Sequence, residues 1–158
     1  MRTITNIFVS LFYTGYIKFI PGTFGTIISI IILYPILKFN LVSTNLFICL
    51  FLVIFIFSLF FINKFSNYSN SHDSSIIVID EFLGIYLIFI FYDFIYFLND
   101  FFTIALIFIF FRFFDILKVF PANIIDRKIQ NSLGVLLDDL VASIYTIIIL
   151  TLLNVYFY

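Results

Sequence analysis

The sequence predicts an all-α membrane protein, a multi-span bundle of about five helices with a short cytoplasmic surface helix. Three observations predict it. The composition is 64% hydrophobic and 11% charged, with a mean hydropathy of +1.23, whereas a soluble domain carries about 25% charged residues. Two runs carry no charge, Leu41 to Ile62 (22 residues) and Leu140 to Tyr158 (19 residues), and each is long enough to cross a hydrocarbon layer of roughly 30 Å as a helix. The charges that interrupt the other apolar runs fall near the ends of those runs. A single membrane-embedded domain over residues 1–158 suits the length. The 26 Phe, the absent Trp and the three Ala (Ala105, Ala122, Ala142) point to a genomic bias that inflates mean hydropathy. The membrane assignment therefore rests on the charge-free runs.

The elements follow in order. Arg2 supplies a basic start, but Ile7 to Tyr13 is short for a signal peptide and no small-residue cleavage pattern follows, so the N-terminus is expected to be retained. A Gly-rich turn, Pro21 to Thr26, leads into the first span, Phe24 to Leu37, and Leu41 to Ile62 forms the next. Asn63 to Ser75 is a polar loop with Asn/Ser turn chemistry. Ile76 to Tyr92, interrupted by Asp80-Glu81, and Phe101 to Leu117, interrupted by Arg112 and Asp115, form a hairpin connected through Asp93 to Asp100. That hairpin brings Asp80, Glu81 and Asp115 to one end. Phe120 to Ser132 alternates charged and apolar residues as a surface helix does, with Pro121 suited to its first turn. Leu140 to Tyr158 closes the bundle on an aromatic interface anchor.

Alternating the chain direction puts Arg2, Lys18, Lys64, Lys118, Arg127 and Lys128 on one side, with Arg112 close by, and only Lys38 on the other. By the positive-inside rule the first side is cytoplasmic. The net charge of -1 and the lack of any Lys/Arg cluster larger than Arg127-Lys128 exclude an electrostatic footprint for nucleic acid. Cys49, the single cysteine, lies in an apolar run and supports no disulfide, thiolate metal site or thiol nucleophile.

A carboxylate at mid-membrane costs about 2.5–3.5 kcal/mol, so Asp80, Glu81, Asp115, Asp138 and Asp139 unpaired there would cost on the order of 15 kcal/mol. Placement near the cytoplasmic interface and a shared divalent cation both lower that cost. Acids converging from three helices suit Mg²⁺, which takes oxygen ligands and keeps several waters. Adjacent residues diverge by about 100° around a helix, so one member of each pair is expected to ligate directly, with Asp80 and Asp139 the first choices. Asp80-Glu81 and Asp138-Asp139 equally fit acids marking first turns through the helix dipole. Asp115, at a helix C-terminal end, does not. Arg112, Asp115 and Lys118 share one helix face, either as a salt-bridge ladder or with Asp115 toward a metal and Arg112 and Lys118 on a phosphate. The turn holding Gly22, Thr23, Gly25 and Thr26 offers backbone N–H groups to a phosphate or, equally, a capped helix start with glycines for tight packing. His72-Asp73 reads as solvated loop. Asp126-Arg127-Lys128 reads as a face toward lipid headgroups, from which Arg127 reaches an anionic substrate.

Pro21–Thr26 (PGTFGT), His72-Asp73 followed by Ile79–Gly84 (IDEFLG), Arg112–Lys118 (RFFDILK) and Gly134–Ala142 (GVLLDDLVA), in this order, resemble the phosphatidylglycerophosphatase A family from about Gly15 to Tyr145. Val119 stands where the family usually has Pro, Asn131-Ser132 where it has Gly-Gly, and Ser143 where it has Gly. The resemblance implies an all-helical fold, Mg²⁺ dependence, and hydrolysis of the terminal phosphate of phosphatidylglycerophosphate to phosphatidylglycerol in a bacterial cytoplasmic membrane, with the site facing the cytoplasm. The expected catalytic set is Asp80, Glu81, Asp115, Asp138 and Asp139, with Asp80, Glu81, Asp115 and Asp139 around the metal. Arg112 and Lys118 are expected to stabilise the phosphate oxygens. Two rivals are a small transport protein, whose acids should then be distributed through the membrane depth, and an inactive membrane scaffold. The oligomeric state is open.

Overall fold

In lipid every backbone polar group must be satisfied internally, so long apolar runs fold as helices. The computed structural model describes residues 2–69 and 74–157. Among them the chain forms eight α-helices, one 3₁₀ turn and no strand. The all-α expectation holds, but the number of helices exceeds the predicted five plus a surface helix.

The additions are short elements that a search for spanning runs passes over. Helix α1 (Arg2–Val9) has only eight residues and is held against α3 (Thr44–Ser69) by side chains. Phe8 meets Phe61 at 4.7 Å between ring centroids, Tyr68 donates to Asn6, and the Arg2 guanidinium lies over the Tyr68 ring. A 3₁₀ turn (Thr14–Tyr16) follows, then α2 (Pro21–Lys38). Contacts with α1 extend α3 seven residues past the predicted Ile62, into the polar stretch, because Phe65 and Ser66 are buried there.

Helix α4 (Ile79–Ile90) is continued by the single turn α5 (Tyr92–Ile95), and α6 (Asp100–Leu117) returns through the bundle. The α6 start is capped by Asn99, whose side chain accepts from the Phe102 N–H at 2.9 Å. The predicted surface helix is α7 (Ala122–Lys128), and Pro121 sits at its N-cap rather than inside its first turn. Helix α8 (Ser132–Phe157) begins eight residues before the predicted Leu140. Asn131 caps it, accepting from the N–H groups of Leu133 (2.9 Å) and Gly134 (3.1 Å). Asp138 and Asp139 therefore lie in the second turn, past the reach of a first-turn dipole contact.

Helices α2, α3 and α8 are long and apolar enough to cross a membrane. Helix α4 is the core element: Ile79, Phe82 to Tyr86, Ile88 and Phe89 are all buried, and it packs against α2, α3 and α8. At about 1.5 Å per residue it is roughly 18 Å long, shorter than the hydrocarbon layer and sheathed by longer neighbours. Gly84 sets its approach to α6 and α8. A Cβ there would lie 2.7 Å from Cε2 of Phe111 and 2.9 Å from Oγ of Ser143. About one turn toward the site from this crossing stand Asp80 and Glu81 on α4, Arg112 and Asp115 on α6, and Asp139 on α8.

Candidate active site

Three helices and the loops around them build the site. The stretch before α4 is tied down first: the Val78 N–H donates to the Val9 carbonyl at 2.9 Å, and Gly15 lies so close to the Ile76 carbonyl that a Cβ would overlap it. Fixing Val78 fixes the start of α4, where the Glu81 N–H donates to Asp80 Oδ1 at 3.1 Å. Asp139 enters from α8, and its hydroxyl neighbour Ser143 bonds back to the Asp139 carbonyl at 2.8 Å. Carboxylate oxygens of Asp80, Glu81 and Asp139 all fall within 4.8 Å of one another. Asp80 is half-buried, the Glu81 side chain is 12% exposed and Asp139 is 4% exposed.

Three ionised carboxylates at that spacing repel strongly out of water, a repulsion that a bound cation or a retained proton relieves. Arg112 answers part of it. Its Nη1 lies 2.8 Å from Asp115 Oδ2 and 3.9 Å from Glu81 Oε1. The buried Glu81 Oε2 and Arg112 Nε have no hydrogen-bond partner. Buried polar atoms are normally paired, so one orphan acceptor and one orphan donor side by side leave room for a cation on the first and an anion on the second. The oxygen-only donor set fits Mg²⁺.

Each adjacent pair of acids resolves differently. Asp80 and Glu81 both join the cluster, because the first turn of α4 faces a junction of helices that accommodates both. Asp138 and Asp139 part company. Asp139 faces the cluster, while Asp138 Oδ2 accepts from Lys118 Nζ at 2.8 Å. Asp115 lies outside the three-acid group, held by Arg112 in the i,i+3 pair that the ladder reading foresaw. The ladder stops there, because Lys118 turns to Asp138 and to Asp126 Oδ1 (2.7 Å). Lys118 ends α6 in the left-handed region, φ 42° and ψ 58°, a strained conformation for a residue with a Cβ. Burial opposes its charge, but the hydrogen bonds it donates to Asp126 and Asp138 outweigh that and hold the ammonium above the ordinary lysine value.

The Gly-rich turn forms the wall opposite. Helix α2 starts at Pro21, after Ile20 at φ 52°. A Cβ on Gly22 would overlap Glu81 Oε1 and come within 3.1 Å of Arg112 Nη1, and one on Gly25 would run into Val78. The glycines thus let α2 close over Glu81 and Arg112. The Thr23 N–H donates to the Ile20 carbonyl at 3.1 Å, and the buried Thr26 hydroxyl to the Gly22 carbonyl at 2.9 Å, so both groups are engaged within α2. Arg127, in the last turn of α7, is exposed. His72 and Asp73 lie outside the described residues. Sequence reasoning missed Asp126 as the partner of Lys118; the signal available was the short Val119–Pro121 connection, which keeps α7 close to Lys118 while α7 packs on α8. A cavity of about 360 Å³, bounded by Lys38, Tyr92, Asp93 and Asp100, lies at the other end, with none of the clustered acids in its wall.

The fold and site define a membrane-embedded helical protein with a cation-ready acidic cluster and a paired arginine at one end of its bundle. The sequence pattern of the family described as phosphatidylglycerophosphatase A matches residues 7–154. A protein named phosphatidylglycerophosphatase A from Haemophilus influenzae is 30% identical over 138 residues, covering 87% of this chain and 81% of that protein. The chain belongs to the phosphatidylglycerophosphatase A family. No solved structure matches it.

Proposed function

We propose that this protein hydrolyses the terminal phosphate monoester of phosphatidylglycerophosphate, releasing phosphatidylglycerol and inorganic phosphate, as a Mg²⁺-dependent enzyme spanning a bacterial cytoplasmic membrane with its site on the cytoplasmic side. Family membership supports the substrate and the reaction. The observation that carries the chemistry is the convergence of Asp80, Glu81 and Asp139 beside Arg112, with Glu81 Oε2 and Arg112 Nε left unpartnered. Helices α2, α3, α4 with α5, α6 and α8 supply the five crossings in this reading.

Asp80, Glu81 and Asp139 would hold Mg²⁺, which supplies charge neutralisation on the phosphate and a water of lowered pKa. Arg112 presents its planar fork to the non-bridging phosphate oxygens, and Asp115 orients that fork through the 2.8 Å contact. Lys118, anchored by Asp138 and Asp126, keeps a positive charge beside the same acids. These groups are set before substrate arrives, so stabilising the charge that develops in the transition state requires little reorganisation. The buried apolar body of α4 separates this end from Asp93 and Asp100, which disfavours a conducting pathway.

The test is phosphate release from phosphatidylglycerophosphate by purified protein in detergent, with Mg²⁺ or with EDTA. Release is expected with Mg²⁺, and its loss in EDTA and in Asp139→Asn. No release from folded protein would refute the enzyme, and undiminished release in EDTA would refute the metal.

A further inference from the structure

The face of α6 that carries Arg112 continues away from the site as one wall of an apolar groove. Phe108, Ala105 and Phe101 precede Arg112 by four, seven and eleven residues, a single stripe of the helix. Ile27, Ile30 and Ile31 of α2 form the facing wall, and the groove holds about 320 Å³. Both walls begin at the site: α2 starts where Gly22 closes on Glu81 and Arg112. With a rise of about 1.5 Å per residue, the groove opens roughly 6–8 Å beyond Gly22 and Arg112 and extends to about 16 Å from the arginine.

We infer that this groove seats an acyl chain of the phospholipid substrate while the phosphate end of the same molecule meets Arg112; the inference rests on the phosphatase reading above. Apolar surface alone selects nothing in a bilayer, because lipid tails are as apolar as the side chains. The register of this groove is what singles it out. It is lined only by hydrocarbon and aromatic groups, and its α6 wall stops at Phe108, one helical turn before Arg112, whose Nε is unpartnered. A chain lying in it holds the headgroup over the acids, converting a loosely diffusing lipid into an oriented reactant.

The experiment uses a phosphonate analogue of phosphatidylglycerophosphate with a diazirine in its acyl chain, added to the full-length protein in phosphatidylcholine nanodiscs. Photolabelling should concentrate on Ile27–Ile31 and Ile104–Phe108, and a phosphatidylcholine probe carrying the same diazirine should not reproduce the pattern. Ala105→Phe, which fills the groove, should cut that labelling and reduce the preference for long-chain over short-chain substrate by up to about 10²-fold, the scale of a misplaced reactant. Labelling spread evenly over lipid-facing positions, an equal pattern from phosphatidylcholine, or labelling unmoved by Ala105→Phe would each overturn the groove assignment. Labelling needs no turnover, so its outcome stands apart from the phosphatase reading, which fails instead if the wild-type protein hydrolyses neither long-chain nor short-chain substrate.

Discussion

Arg112 connects the two halves of the site, reaching Asp115 on its own helix and Glu81 on α4 while leaving Nε free for an anion. A lysine at this position keeps the charge but loses the fork. Arg112→Lys should lower kcat on the order of 10²-fold, the usual scale for one transition-state donor, with an unchanged melting temperature in detergent. Gly22 makes a sharper test of geometry. Its Cβ would press on Glu81 Oε1 and the Arg112 guanidinium, which are the movable tips of long side chains. Gly22→Ala should therefore fold normally yet lose up to about 10²-fold in kcat through misplacement of both groups. A matching loss of thermal stability would show that the glycine serves packing alone.

At the level of elements, the crossing of α4, α6 and α8 at Gly84 sets the register of every acid in the cluster. The atoms that a new side chain would meet are the Phe111 ring, which is fully buried, and Ser143 Oγ, and neither has room to retreat. Gly84→Val should cost about 1–3 kcal/mol through overpacking, seen as a lower thermal midpoint in detergent. Helix α7 is the other element with a defined task. Asp126 brings it onto Lys118, and the Tyr145 hydroxyl bonds the Phe120 carbonyl at 2.6 Å, tying the connection that precedes it to α8. Of these elements, α3 and α8 were legible because Leu41–Ile62 and Leu140–Tyr158 are charge-free over the length needed to cross a membrane. Helix α1 and the last two turns of α3 were not, because a mutual contact between segments distant in sequence stabilises them.

Over the whole molecule, polarity is divided between two ends. Lys118, Arg112 and the clustered acids occupy one, and the Lys38–Asp100 ion pair with Asp93 occupies the other. The topology proposed above, from the positive-inside rule, has the first end on the cytoplasmic side. In a Cys49→Ser background, Asn40→Cys should react with an impermeant maleimide in intact cells, and Gln130→Cys only after permeabilisation. The reverse pattern would invert the topology and place the acids outside.

The sequence by itself determined that the chain is helical and membrane-embedded, since backbone groups in lipid must bond internally and long charge-free runs leave only the helix. It also singled out the ionised residues that the structure gathers at one end of the bundle, because such groups are too costly near lipid to persist without a partner or a task. Only the tertiary structure decided how those residues are shared out: Glu81 with Asp80 and Asp139, Asp115 with Arg112, and Asp138 with Lys118 and, through it, Asp126. The direction of a side chain depends on the phase of its helix, and the meeting of two side chains depends on how closely and at what angle their helices cross. Gly22, Gly25 and Gly84 set those approaches through contacts with residues far away in the chain, and local pattern carries no record of such contacts.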